Sequence, residues 1–334
     1  MGGALRLLDH IAHCTEPFVV HRDRGGVLRL AGAADFALRL AHCPLRYVLD
    51  DELLRTCIEL AYSEGDELSG CLDLLRIPAE QMWVEWNETV RREELERVRA
   101  AAAEGAVADA LRAGTLISAR PHGRAGSLRS FWLTGGESPE PLLAPVETLI
   151  ALDGGLVLAP PDALLAGQTV AVCDSQNAQV DELLKCVGFR LEPSWQGYYQ
   201  SELLTGEMRA QLISRSLATV AFDAPMLMAL FLLMAVRADL VPRHVNPVRL
   251  NAKRVRLGRR PLLEHIEVSA PVFASGGVPR HDGAGGTRRG PRFHHVRGHL
   301  VRRRNTIYWR GPHWRGHVRL GSVRSRTVAL RLPG

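Results

Sequence analysis

Residues Ala224 to Val236 form an unbroken run of 13 apolar residues, preceded by Asp223 and ended by Arg237. A helix that is apolar nearly all round has no face to give to water, so it belongs at the centre of a domain with other elements packed about it. Pro225 suits its first turn, where a missing N–H costs nothing. The run is too short for a bilayer core of roughly 30 Å, so no transmembrane helix is predicted. The chain has 334 residues, 46% hydrophobic and 23% charged, which is enough for a real core and for two domains, or one domain with an appendage. That composition excludes a disordered, collagenous or coiled-coil protein.

Other stretches carry helical or β-type spacing. Apolar residues recur helically over 4 to 13 (Leu5, Leu8, Ala12) and 31 to 42 (Ala33, Phe36, Ala37, Leu40). Asp50 or Asp51 is placed to cap a helix running to about Ser63. After the Arg76-Ile77-Pro78 turn, Met82, Val84 and Trp86 alternate with Trp83, Glu85 and Asn87, which predicts a strand. Residues 90 to 112 are rich in Arg, Glu and Ala and predict a helix, with Glu93 four residues before Arg97 as an ion pair. Short β-like runs follow at 115–119, 127–133, 148–152, 156–158 and 169–173, suggesting one mostly antiparallel sheet. Residues 201 to 219, interrupted at Gly206, and 224 to 238 read as two helices.

Charge is divided unevenly along the chain. Lys185 and Lys253 are the only lysines, an arginine bias that fits genomic base composition and says little alone. From residue 241 to the end there are 21 Lys+Arg against three acids (Glu264, Glu267 and Asp282), whereas residues 1 to 240 carry 21 basic and 33 acidic groups. A sign change of this size predicts a polyanion surface on the C-terminal part, unless that part docks on the acidic remainder of its own chain. The segment 246 to 268 holds the clusters Lys253-Arg254-Val255-Arg256 and Arg259-Arg260. Residues 274 to 291, with six glycines from Gly276 to Gly290, read as a flexible linker, and residues 292 to 334 as a small basic β module.

The module carries the candidate chemistry. As one strand over 294 to 303, it would set His295, Arg297, His299 and Arg303 on one face with Val301, followed by a turn at Asn305-Thr306. Guanidinium groups bind phosphate bidentately and aromatic faces stack on unpaired bases. Arg297, His299, Arg302, Arg303, Arg304, Tyr308, Trp309, Arg310, His313, Trp314, Arg315 and His317 are therefore the candidate nucleic-acid-binding residues, with single-stranded RNA the natural ligand. A metal held by His294, His295, His299, His313 and His317 is disfavoured, because no cysteine or carboxylate accompanies them and the arginines repel a dication. A metal-independent endoribonuclease is the runner-up, with His299 and His313 as general base and acid. The plainest reading has those histidines hydrogen-bonding within a compact module. No cofactor is expected.

Nothing comparable stands in the first 273 residues. No phosphate-binding loop, dinucleotide fingerprint, HExxH or GxSxG is present. Asp174-Ser175 reads as a turn before it reads as a site, and Trp83 and Trp86 as core residues before a peptide-binding surface. Six scattered cysteines without a CxxC pair fit reduced cytosolic thiols, mostly in the core. Asp9 and His10 break the one apolar segment near the N-terminus, so no secretory signal is expected and the cytoplasm is the expected location.

Three stretches together resemble a known family. They are Ile77-Pro78 leading to Trp83-Val84-Glu85-Trp86, Leu250-Asn251-Ala252-Lys253-Arg254 continuing to Pro261-Leu262-Leu263-Glu264-His265, and His294-His295-Val296-Arg297-Gly298-His299 followed by Trp309-Arg310 and Pro312-His313-Trp314-Arg315-Gly316. The last resembles the H-x-R-R-G-H-W ending of type V-A anti-CRISPR proteins, which suppress production of a Cas effector nuclease and share this ending with many uncharacterised phage proteins. Val296 stands where that pattern has its first arginine, and Leu300 where it has tryptophan. The resemblance implies a phage or prophage origin, a large domain that binds a nascent peptide, and a terminal module carrying Arg297, Gly298 and His299 that faces nucleic acid.

The expected fold is α+β: a helix-and-antiparallel-sheet domain over 1–273 for protein or peptide recognition, a linker over 274–291, and a basic β module over 292–334. The expected function is that of a phage-type, anti-CRISPR-like adaptor. Its basic end would engage RNA or ribosome-associated message and its large domain a nascent peptide or host protein, such as a type V-A Cas effector, lowering target expression without catalysis. A DNA-binding phage regulator or replication accessory ranks behind the nuclease, because the basic part has no helix-turn-helix signature.

Overall fold

The computed structural model describes residues 5–14, 18–23, 26–30, 33–63, 65–98, 110–135, 139–171, 178–200, 204–236 and 240–270, and then 292–296, 299–303, 306–310, 313–315 and 317–322. The chain divides into two compact units, Met1–Ala270 and Pro271–Gly334. The first break falls three residues before the sequence-based boundary, and the glycine-rich stretch 274–291 lies outside the described residues.

The large unit is α+β. Its elements run α1 (Leu7–Ala12), β1 (Phe18–Asp23), β2 (Gly26–Leu30), α2 (Ala33–His42), β3 (Leu45–Leu49), α3 (Asp51–Ser63), α4 (Gly65–Ser69), β4 (Gln81–Asn87) and α5 (Glu88–Arg97). They continue with β5 (Ala110–Ala119), β6 (Ala125–Thr134), β7 (Pro141–Ala151), α6 (Ala178–Leu184), β8 (Val187–Leu191), α7 (Gln196–Tyr199), α8 (Gly206–Ala221) and α9 (Asp223–Val236). The unit closes with β9 (Val241–Val245), α10 (Val248–Arg256) and β10 (His265–Ser269). Eight strands form one sheet in the order β8-β7-β6-β5-β4-β3-β10-β9. The sheet is mixed. Pairing is antiparallel from β4 to β8, as the run of short strands suggested, but β3 lies parallel to both β4 and β10.

Helices cover both faces of this sheet, which changes how β4 reads. Period-two alternation predicts one buried face, yet Met82 to Trp86 are all buried, because β4 lies inside the sheet between two helical layers. On one face, Phe36 of α2 meets Phe131 of β6 edge-on and Trp83 packs against the same ring. Gly114 of β5 lies directly beneath the Trp83 indole, where a Cβ would come within 2.4 Å of it. On the other face lie α3, α5 and α9, and Ala224 to Leu233 of α9 are all buried, as an all-round apolar helix requires. With α8 it forms a 31-residue stretch, Gly206–Val236, long and apolar enough by composition to cross a membrane; its apolar window is 76% buried inside the protein, as in a core helix.

Several sequence expectations are corrected. The helix expected over 90–112 ends at Arg97, and Ala110 to Ala119 is a strand hydrogen-bonded to β4 and β6. Pairing with two neighbours outweighs the helical propensity of an Arg/Ala-rich stretch. Asn87 begins α5 by accepting the Thr89 and Val90 N–H groups at 3.2 and 3.4 Å. Arg97 pairs with Glu94, not Glu93. Residues 156–158 form no strand, since Leu156 and Leu158 lie over Gly188, and of 169–171 only Val170 bridges, to Ala159 and Phe189. The sheet edge is instead β8. Cys43, Cys57, Cys71 and Cys186 are buried, and Cys173 lies outside the described residues with Asp174 and Ser175.

Candidate nucleic-acid interface

Among its described residues the terminal unit holds five short strands: β11 (Arg292–Val296), β12 (His299–Arg303), β13 (Thr306–Arg310), β14 (His313–Arg315) and β15 (His317–Ser322). They form two sheets, β14-β11-β15 and the hairpin β12-β13. The single strand expected over 294–303 is therefore two strands. The register of β11 is set by β14 and β15 and that of β12 by β13, so His295 lies on one sheet and His299 and Arg303 on the other. The hairpin closes on Arg303 and Thr306, one residue earlier than the expected turn.

Backbone pairing brings the candidate residues together in two groups. In the hairpin His299 pairs with Arg310, Leu300 with Trp309, Val301 with Tyr308 and Arg302 with Ile307. In the other sheet His294 pairs with Arg315, His295 with Trp314, Val296 with His313 and Arg292 with His317. Arg297 and Arg304 lie outside the described residues. Directly paired residues share a face and neighbours along a strand alternate. Leu300, 8% exposed, and the half-buried Trp309 accordingly form one side of the hairpin, whereas Tyr308 and Arg310 stand exposed on the other. Tyr308 and Arg310 present a ring and a guanidinium side by side, the pair of groups that holds a base and a phosphate.

The large unit has buried polar clusters that sequence reading missed. Glu88 accepts both the Nε and Nη2 hydrogens of Arg91 at 2.8 and 2.6 Å and the Trp86 indole N–H at 3.0 Å. Arg91 also lies 3.4 Å from Asp223, whose other oxygen accepts the Ser130 hydroxyl at 2.6 Å. Burial raises the Asp223 pKa to about 6 against the pull of Arg91 and Ser130, with the neighbouring charge of Glu88 adding to the rise. Glu85, wholly buried, accepts the Leu7 and Leu8 N–H groups at 3.1 and 3.0 Å and fixes the start of α1. Glu147 receives Arg129 and Arg190 at 2.8 and 2.7 Å. The carboxylates Glu85, Glu88, Glu147 and Asp223 are buried and held by these partners, Arg91 Nη1 and Asp223 Oδ1 facing one another at 3.4 Å as an ion pair without a hydrogen bond, so the clusters tie the helices to the sheet. Trp83 and Trp86 are 1% and 0% exposed, which places both in the core.

A cleft of about 930 Å³ opens between α1 and α10, with His10 and His13 on one wall and Lys253, Arg254, Arg259 and Arg260 on the other. Burial lowers the pKa of both histidines.

The sequence matches no family model, no curated protein and no solved structure.

Proposed function

We propose that this protein is a phage-type, anti-CRISPR-like adaptor that holds RNA, or message on the ribosome, through its terminal unit. The large unit engages a nascent peptide or a host protein, of which a type V-A Cas effector is the candidate that the sequence resemblance suggests, and the outcome is lower expression of that target in the host cytoplasm. The observation that carries the reading is the exposed pair Tyr308 and Arg310 on one face of a hairpin, in a unit whose span 292 to 334 has 11 arginines and no acid. Charge of one sign with an adjacent exposed ring supports sequence-tolerant binding of a single strand.

The test is RNA binding by the full chain in EDTA. Tyr308→Ala and Arg310→Ala are each expected to weaken affinity by about 1–3 kcal/mol, and affinity should fall steeply with salt. Salt-insensitive binding would count against the reading. RNA cleavage in EDTA that is lost with His299→Gln or His313→Gln would replace the adaptor by a nuclease.

A further inference from the structure

Elsewhere in the large unit many arginines sit against carboxylates, Arg91, Arg112, Arg124, Arg129 and Arg190 among them, while Arg46 and Arg76 are held by backbone carbonyls. Around α10 this stops. Among the described residues no carboxylate pairs with Arg249, Lys253, Arg254, Arg256, Arg259 or Arg260. Asp9, the one acid among the described residues that line the cleft, is already occupied, accepting the Arg6 N–H at 3.2 Å and the Leu263 N–H at 2.8 Å.

The cations are held in place. Helix α10 ends in a left-handed Gly258 at φ +66°, with Arg259 N–H donating to the Arg254 carbonyl at 2.8 Å and Gly258 N–H to that of Val255 at 3.0 Å. Beyond this turn Asn251 grips the returning chain at both ends of its amide, donating to the Leu262 carbonyl at 2.9 Å and accepting the Leu262 N–H at 2.7 Å. The double clamp brings Arg259 and Arg260 back beside Lys253 and Arg254. Arg254 Nε donates to the Arg260 carbonyl at 2.8 Å and Arg260 Nη1 to the His13 carbonyl, so both guanidiniums are oriented while keeping other N–H groups for a ligand. Along the helix Arg249, Lys253 and Arg256 follow at i, i+4 and i+7, a stripe of charge on successive turns. No residue of α10 is buried, and Leu250 and Leu257 leave an aliphatic floor half open to water.

We infer that this cleft is a second nucleic-acid site, one that grips the phosphodiester backbone of a single strand without reading its bases. Repeated cations without counter-charges suit a ligand whose negative charge also repeats, and oriented guanidiniums suit phosphate oxygens. Among the described residues no Phe, Tyr or Trp lines the cleft, and its only rings are the smaller imidazoles of His10 and His13, so cations outnumber stacking platforms and the backbone is the main ligand, with the leucines against sugar faces. The inference rests on the reading of the protein as an RNA-binding adaptor, and it extends that reading to the large unit.

The experiment follows fluorescence anisotropy of a labelled single-stranded oligo-uridine on the full chain over a range of KCl. The same measurement is made with Lys253→Glu combined with Arg259→Glu, with Lys253→Gln combined with Arg259→Gln, with Tyr308→Ala, and with an oligo-glutamate peptide as competing ligand. All four cleft substitutions fall on exposed side chains, so circular dichroism should show an unchanged fold. Charge reversal is expected to weaken RNA binding by about tenfold or more and to flatten the slope of log K against log salt by about 1.4, at roughly 0.7 per phosphate for two lost contacts, with the glutamine pair intermediate. RNA binding that keeps its affinity and slope after charge reversal, yet falls with Tyr308→Ala, would overturn the cleft site and leave the adaptor reading standing. Oligo-glutamate binding that is lost on charge reversal while RNA binding is untouched would make the cleft a protein-docking site instead. Failure of the unaltered chain to bind RNA would remove both.

Discussion

The buried cluster around Arg91 and the open stripe on α10 use the same side-chain chemistry to opposite ends. Arg91 is 2% exposed and meets Glu88 through two parallel hydrogen bonds, with Asp223 beyond, so its charge is consumed by the fold. Lys253, Arg256 and Arg259 are exposed and meet no carboxylate among the described residues, so theirs is available to a ligand. Overall charge separates these roles poorly, because a paired guanidinium and an available one count the same in the sequence. Pairing separates them. In a chain so rich in arginine, the carboxylate partner is what distinguishes a cation used by the fold from those clustered on α10.

The largest expected effect tests the buried side. Arg91→Ala leaves Glu88 and Asp223 sealed in the core without their cation, and should cost about 3–5 kcal/mol in urea unfolding of the full chain. A cost near zero would mean that the cluster is not structural and that the contrast with α10 is false. A second effect comes from Asp223, which titrates at about 6 in the folded protein against an ordinary 3.8. Between those values the folded state keeps a proton that the unfolded chain has lost, so this group's contribution to stability falls as pH rises through the window and is level above it. Relative to the parent, Asp223→Asn should therefore gain up to about 3 kcal/mol between pH 4 and pH 7, measured as the difference of two unfolding curves. A flat difference would show that Asp223 remains ionised beside Arg91 throughout. The smallest effect is on the open side: Lys253→Ala and Arg256→Ala should each shift stability by no more than about 0.5 kcal/mol. A larger loss would mean that these cations hold the fold after all.

How much of this was legible in the sequence depended on whether the signal was local. Helix α9 was legible because a run without polar residues permits one environment only, and β4 because Trp and Val alternate after a Pro turn. Strand β9 was not: Val241-Pro242-Arg243-His244-Val245 is polar, exposed and interrupted by proline, which an edge strand tolerates and propensity does not detect. Strand β5 was partly hidden because its start follows a stretch of helix-favouring composition. In the terminal unit the arginines, the aromatics and the hairpin turn could be read. The separation of β11 from β12 could not, since it depends on which partners each strand finds. The cleft was invisible for a simpler reason: His13 and Arg260 are brought together by folding from opposite ends of the large unit, and each cluster alone reads as an ordinary solvated stretch.

The position of β10 has a consequence for synthesis on the ribosome. This strand, the last of the large unit, pairs with β3 near the beginning through Ile266, Glu267 and Val268 against Tyr47, Val48 and Leu49. Until residue 269 has left the exit tunnel, the outer edge of β3 carries unpaired backbone groups, and β9 has nothing to join. A sheet completed by so distant a pairing folds slowly, because the ends of a long loop must meet before the contact is rewarded. Through most of its translation the growing chain therefore presents an open strand edge to its neighbours on the polysome, a point of entry for chaperones and for misassembly alike.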